Sequence, residues 1–196
     1  KRPNIQEQMP NPMTLEQVGM VLALDMSLRE RAAGHLLAGH GWRQNEVLEV
    51  LAGEVRAISG GQMWCHGKQR AEWAPVLPET AELLSRLADG LADDEQVFRG
   101  KRGRKERYGY EGMRKLVRGL MQRAGLTGFT GHNLRDTFAT LVTEQSGDLT
   151  LAMQLIRDRV PGVAPRYVKR DLPALLERYS PIRQLGGKPP PQVGES

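Results

Sequence analysis

A histidine and an arginine stand three residues apart in "GHNLRDTFAT", residues 131 to 140, at the start of a segment that otherwise reads as a buried helix. Leu134, Phe138, Leu141 and Val142 repeat at helical spacing and form its apolar stripe. At about 100° per residue, His132 and Arg135 lie roughly 60° apart on the flank of that stripe, so both side chains reach one external target. Near a helix N-terminus such a target is an anion, because unpaired amides and the helix dipole favour negative charge there. Anion chemistry recurs in "RGKRGRKER", residues 99 to 107, where Arg99, Lys101, Arg102, Arg104, Lys105 and Arg107 are opposed by Glu106 alone. A run of this kind attracts phosphates whatever the nucleotide sequence. With a net charge of +5 over the whole chain, the partner it suggests is nucleic acid.

The elements that must position these residues are mostly helical. Thr14 with Gln17, and Ser27 with Glu30, have capping-box spacing, which predicts helices over about 14–24 and 27–39. A short helix over 43–51 follows the break at Gly41. Three β-leaning pieces come next, at Val55–Ile58, Gln62–His66 and Glu72–Val76, separated by Gly60-Gly61 and Gly67-Lys68, and they read as a small antiparallel sheet. Pro78 suits a helix first turn, and Leu83, Leu84 and Leu87 give that helix an apolar face ending at Gly90. Met113, Leu116, Val117, Leu120 and Met121 make the strongest helical period in the chain. Helices over about 132–145, from Asp148 onward, and over 172–179 complete the series. The fold class is mainly α with one small antiparallel sheet.

Composition narrows the function classes. The 39% hydrophobic content of 196 residues is enough for a real core. No run of apolar residues is long enough to span a bilayer and no secretory signal is visible, so the expectation is a cytoplasmic protein without a membrane partner. Cys65 is the single cysteine, which rules out an intramolecular disulfide and a thiolate zinc cluster. Residues 1–13 read as a linker or arm, 14–180 as one domain, and 181–196, rich in glycine and proline, as a flexible tail.

"GHNLRDTFATLVTEQSGDLTLAMQLI", followed by "PRYVK", resembles the tyrosine recombinase and integrase family, whose members carry a histidine or lysine, two residues, an arginine, then a Thr-Phe-Ala-Thr run. "GHGWRQNEVLEV" resembles the family's first arginine box, with Arg43 at the arginine and Glu46 at the acid that follows. "CHGKQRAEWAPVLP" resembles its β-hairpin and points to Lys68, while "APRYVK" resembles its nucleophile box and points to Tyr167. The similarity runs in register from about Thr14 to Tyr179. It implies the fold of the family's catalytic domain, with no counterpart in this chain of the separate N-terminal DNA-clamping domain. It also implies double-stranded DNA as partner, a homotetramer on DNA with a monomer when isolated, no metal and no other cofactor, and a nucleoid-associated setting in a prokaryote or phage.

Each implied role has a physical rationale. Cleaving a phosphodiester without a metal needs positive charge on the nonbridging oxygens, which guanidinium forks supply in bidentate geometry, so Arg43 and Arg135 form the expected clamp. A phenol of reference pKa near 10 needs a nearby cation or base to act as nucleophile, and Tyr167 has Arg166 and Lys169 beside it. Lys68 brings a proton to the departing 5′ oxygen, and His132 hydrogen-bonds the phosphate or acts as base toward Tyr167. Tyr108, Tyr110 and Tyr179 are rival phenols, read as packing or DNA-contacting residues. His35, His40 and His66 read as structural or surface residues. One position departs from the family pattern: where a histidine or tryptophan donor is usual, nine residues before the nucleophile, this chain has Asp158. A carboxylate cannot donate and repels phosphate, so it must turn away or pair with a neighbour, and Arg157 or Arg159 is the expected substitute donor. Asp136 stands where many relatives have a further histidine. Asp158 keeps open a catalytically degenerate DNA-binding relative, and the basic loop and helices taken alone also fit a helical DNA-binding regulator outside the family.

Overall fold

The computed structural model describes residues 11–67, 71–99, 109–158 and 170–186. Both capping boxes form. Thr14 opens α1 (Leu15–Leu22) and Ser27 opens α2 (Leu28–Gly34), each trading hydrogen bonds with the acid or amide three residues on. The chain ahead of α1 is tied down: the Met13 amide donates to Thr137 at 2.7 Å, Asn133 donates to the Asn11 carbonyl at 3.0 Å, and Met13 is buried. Expected arm residues 11–13 thus belong to the packed body.

Helix α2 runs on into a wider π-type turn over His35–Gly39. Its loose carbonyl at His35 is taken by the Nδ1–H of His40 at 2.9 Å, while His40 Nε2 accepts the Leu77 amide at 3.1 Å. Both ring nitrogens are used, which fixes the neutral tautomer. Gly41 then turns the chain with φ +65. It is followed by α3 (Gln44–Leu48) and α4 (Ala52–Arg56).

Helix α4 replaces the expected strand piece at Val55–Ile58. Glu54 caps the Leu51 amide at 3.0 Å, and the amides of Ala52 and Gly53 are taken by the Glu95 and Asp93 carbonyls. The β-branched residues that suggested a strand instead turn Val55 into the core from a helix. Among the described residues the sheet therefore has two strands, β1 (Gln62–His66) and β2 (Ala71–Pro75), antiparallel with Trp64 opposite Trp73.

Pro78 starts α5 (Pro78–Ala88) as read from the sequence. Helix α6 (Tyr110–Arg123) carries the Met113 to Met121 period, α8 (Leu149–Leu155) starts after Asp148 as expected, and α7 (Gly131–Ser146) and α9 (Leu172–Tyr179) lie within a residue of their expected bounds. Beyond residue 180 the expected tail instead begins with α10 (Pro181–Gln184), whose Ile182 is buried, and Ser180 donates to the Gly39 carbonyl at 2.7 Å. A short proline-started turn holding one branched apolar side chain is enough to dock there.

Two apolar clusters share the interior. The larger gathers α1 to α6, the sheet and Trp42, while the smaller joins Phe138 and Val142 of α7 to Leu151, Leu155 and Ile156 at α8 and to Leu176 and Ile182. Gly41 lies at their seam. A Cβ there would come within 2.7 Å of both Phe138 and Ile156, and the positive φ is strained for any side chain. The contact lets the turn before α3 lie directly on α7 and the end of α8.

Burial holds His35 and His40 neutral, lowering their pKa values from 6.5 to about 4 and about 3. In the unfolded chain both take a proton as the pH falls through 6.5, whereas the folded chain resists until far lower pH, so stability is full above that point and is lost as acid is added. Urea unfolding between pH 6.5 and about 5 should show stability falling by roughly 1 kcal/mol per pH unit for each of the two histidines. A flat profile over that range would contradict their buried, neutral state.

Candidate functional site

At that seam three arginines and two carboxylates form one network. Arg43 is the residue before α3, and its amide donates to Glu46 at 2.8 Å, the reciprocal half of a capping box. Its Nη1 reaches the other oxygen of Glu46 at 2.8 Å. Arg157 also pairs with Glu46, and Arg135 approaches the same oxygen at 3.9 Å. With only 2% of its side chain exposed, Glu46 is a buried anion facing three guanidinium groups. Burial alone would raise its pKa. The charge of Arg157, the two hydrogen bonds from Arg43 and the charge of Arg135 outweigh that and hold the carboxyl below the usual range.

Arg135 projects from the first turns of α7 and is buried. Its Nη1 donates to the Gly41 carbonyl at 2.7 Å and its Nη2 to the Ile156 carbonyl at 2.7 Å. Ile156 caps the C-terminus of α8, so the guanidinium supplies a donor to a helix end whose carbonyls lack partners and whose dipole is negative. The expectation of a flanking, outward Arg135 is corrected here. Its long stem carries the charge inward to acceptors that only the folded chain assembles. Burial is the main influence on this arginine and lowers its pKa; the hydrogen bond to Asp158 offsets part of the effect, and the charge of Arg43 adds to it.

Asp158 closes the network. One of its oxygens is bonded to Nη2 of Arg43, and the other accepts from Nη2 of Arg135 at 2.8 Å. Burial by itself would raise the Asp158 pKa, but these two arginines keep it below the ordinary carboxylate value. At Arg43 the opposing desolvation is likewise outweighed, by Glu46 and Asp158, and its pKa rises. Asp158 therefore pairs with neighbours, one of the two outcomes its chemistry required.

Arg157 ends α8 in the left-handed conformation with φ 58, its amide bonded to the Gln154 carbonyl and that of Asp158 to Met153 at 2.8 Å. This is a Schellman cap with arginine where glycine is usual. Its guanidinium lies 4.9 Å from the centre of the buried Trp42 ring and donates to the Leu155 carbonyl at 3.2 Å. Arg157 is thus fully engaged inside the protein and is not a spare donor for an incoming anion.

His132 stands apart from this network. Its side chain is 80% exposed and its ring is 3.6 Å from Asp136, one turn along the same helix. Arg99 has only 14% of its side chain exposed and pairs with Glu95 at 2.6 Å, so it braces its own loop. Lys68, Lys101, Arg102, Arg104, Lys105, Arg107, Arg159 and Tyr167 lie outside the described residues. Cys65 is buried and its thiol is pushed up to about 12, chiefly by desolvation, so it is not a nucleophile at neutral pH. The parts that sequence reasoning missed are the backbone acceptors at Gly41 and Ile156 and the inward role of Arg157; two basic residues flanking an acid in "IRDR" were the available signal.

Arg43 and Arg135, far apart in the chain, thus converge on one carboxylate. A family model described as "Phage integrase family" matches residues 13–167, most of the chain. The chain belongs to the phage integrase family. Among its relatives, tyrosine recombinase XerD of Oceanobacillus iheyensis is 27% identical over 168 residues, spanning 79% of this chain and 56% of its own length. Tyrosine recombinase XerC of Herpetosiphon aurantiacus is 26% identical and is spanned over 54% of its length, so the chain covers little more than half of either relative. Among solved structures, the integrase from mycobacterium phage Brujita superposes with a TM-score of 0.69 at 25% identity, over 93% of this chain and 62% of that one. The lambda integrase catalytic core shares the fold, with a TM-score of 0.55 at 18% identity over 74% of this chain and 93% of that core. The phage integrase fold expected from the motifs is the fold observed.

Glu46 is the keystone of this cluster, and neutralising it leaves buried arginine charge without its partner. Glu46→Gln should lower the unfolding free energy by about 3–5 kcal/mol in a denaturant titration. Glu111→Gln, which opens only the exposed pair with Arg114, should change it by less than about 0.5 kcal/mol. Equal effects from the two substitutions would show that the buried network carries no special share of stability.

Proposed function

We propose that this chain is the DNA-cleaving and rejoining part of a site-specific tyrosine recombinase of the integrase kind, and that Arg43 and Arg135 grip the scissile phosphate. The observation that carries the reading is the convergence of these two guanidinium groups on the two oxygens of a single anion. A phosphodiester presents the same pattern through its nonbridging oxygens, and charge-assisted bonds to both strengthen as negative charge builds in the pentavalent state. In this reading the Tyr167 oxygen attacks phosphorus and loses its proton, forming a 3′-phosphotyrosyl bond as the bond to the 5′ oxygen breaks. Lys68 gives that oxygen its proton, leaving a free 5′ hydroxyl. Reversal with a different 5′ hydroxyl rejoins strands, and because the phosphoryl bond is conserved no ATP and no metal is needed.

His132 supports the reading by being exposed at the first turn of α7, where a hydrogen bond to phosphate or a base role toward Tyr167 requires an accessible ring. Lys101, Arg102, Arg104, Lys105, Arg107 and Arg159 are proposed to meet the DNA backbone, a sequence-independent contribution to binding. The proposed partner is double-stranded DNA, with four copies assembling on two sites during recombination and the isolated domain a monomer. The proposed setting is the nucleoid in the cytoplasm, for a protein of a prokaryote or phage. The rival reading, a DNA-binding relative without cleavage, draws on one observation: Asp158 fills the arginine grip.

A nicked suicide DNA duplex, which lets the 5′ product escape after cleavage, separates the two readings. The recombinase reading expects a covalent protein–DNA adduct on a denaturing gel, abolished by Tyr167→Phe and reduced at least 100-fold by Arg43→Ala or Arg135→Ala. DNA binding with no adduct from the unaltered chain supports the rival, and an adduct that survives Tyr167→Phe removes Tyr167 from its role.

A further inference from the structure

The two arginines that hold Asp158 are anchored elsewhere on their other faces. Arg43 Nη1 is committed to Glu46 at 2.8 Å, and Arg135 Nη1 to the Gly41 carbonyl at 2.7 Å. Asp158 takes the Nη2 of Arg43 and one of the two N–H groups on Arg135 Nη2, the other going to the Ile156 carbonyl. That carboxylate and Arg43 form the open end of the network. Their side chains are 35% and 37% exposed, against 4% for Arg135 and 2% for Glu46. An anion arriving from solution meets the Arg43–Asp158 pair first.

Three arginines against Glu46 and Asp158 leave the network at +1, and without Asp158 it would be +2. A carboxylate offers one negative charge on two oxygens, as a phosphodiester does, and the Schellman cap fixes the backbone that presents it. We propose that Asp158 is a positioning residue that substitutes for the DNA phosphate, keeping Arg43 and Arg135 at gripping distance in the free protein and yielding both guanidinium groups when a phosphate displaces it. The inference rests on the recombinase reading for the identity of that phosphate.

An internal competitor of single charge opposes the ground-state phosphodiester, itself singly charged. Once a phosphate has displaced it, the competitor is absent from the bound ground state and from the pentavalent state alike, so its cost falls on binding. The competition therefore raises the DNA concentration needed for half-maximal cleavage and leaves the maximal rate nearly unchanged. A residue that served only structure would not produce that split.

The test compares the unaltered chain with Asp158→Asn, which keeps shape and removes charge, and Asp158→Glu, which keeps charge on a longer stem. Titration with inorganic phosphate, followed calorimetrically, should show Asp158→Asn binding at least tenfold more tightly than the unaltered chain, with Asp158→Glu close to the latter. On the suicide duplex, Asp158→Asn should lower the half-saturating DNA concentration by tenfold or more with a maximal rate within about threefold. Unchanged phosphate affinity in Asp158→Asn overturns the inference, as does a lower maximal rate with unchanged half-saturation, or a gain in Asp158→Glu equal to that in Asp158→Asn. Should Asp158→Asn fail to fold, Asp158→Ser, which also removes the charge, is expected to show the same gain in both assays, and the absence of any gain in it overturns the inference. Tighter phosphate binding in Asp158→Asn with no adduct from any variant keeps the competitor and removes the recombinase reading. Adduct formation that is indifferent to Asp158→Asn in both assays does the reverse.

Discussion

Three guanidinium groups drawn into one seam between two apolar clusters would repel one another without a buried negative charge among them. Glu46 is that charge. Its carboxylate takes the Arg43 amide, the Arg43 side chain and Arg157, and lies near Arg135, with almost no contact with water. Removing a charge from water is expensive, and the structure offsets the expense by giving each oxygen of Glu46 at least one charged donor. The placement of the turn before α3 against α7 and the end of α8 follows from that requirement as much as from apolar packing.

Two glycines make the approach possible. Gly41 carries a turn that a side chain would strain, and it hands its carbonyl to Arg135. Gly131 opens α7 against Gln44, where a Cβ would sit 2.6 Å from that side chain. Backbone proximity at these points brings Arg43 and Arg135 onto a common anion. The precision of the grip thus comes from helix ends and turns, while the apolar stripes supply the bulk of the packing behind it.

Much of this was readable in advance, for identifiable reasons. The Thr14 and Ser27 caps, the proline start of α5 and the Met113 to Met121 stripe are local signals, each written in residues within two turns of one another, and they placed helices well. Val55 to Ile58 misled because β-branched residues pack equally well from a helix once a distant segment, residues 93–95, takes the amides at its start. The membership of Arg43 and Arg135 in one site came from motif order. The inward turn of Arg135 did not, because its acceptors at Gly41 and Ile156 are backbone atoms that leave no trace in residue type. Likewise Asp158 was legible as an anomaly, and its partners were not.

The left-handed backbone at Arg157 places two selective demands on one codon. Glycine would suit the helix terminus best, yet it would strip Glu46 of a counter-charge and Trp42 of the cation above its ring. An uncharged non-glycine replacement keeps the conformational strain and forfeits the pairing. Neutral drift at this position is therefore blocked from both directions, and a change there is expected to travel with a compensating change at position 46 or 42.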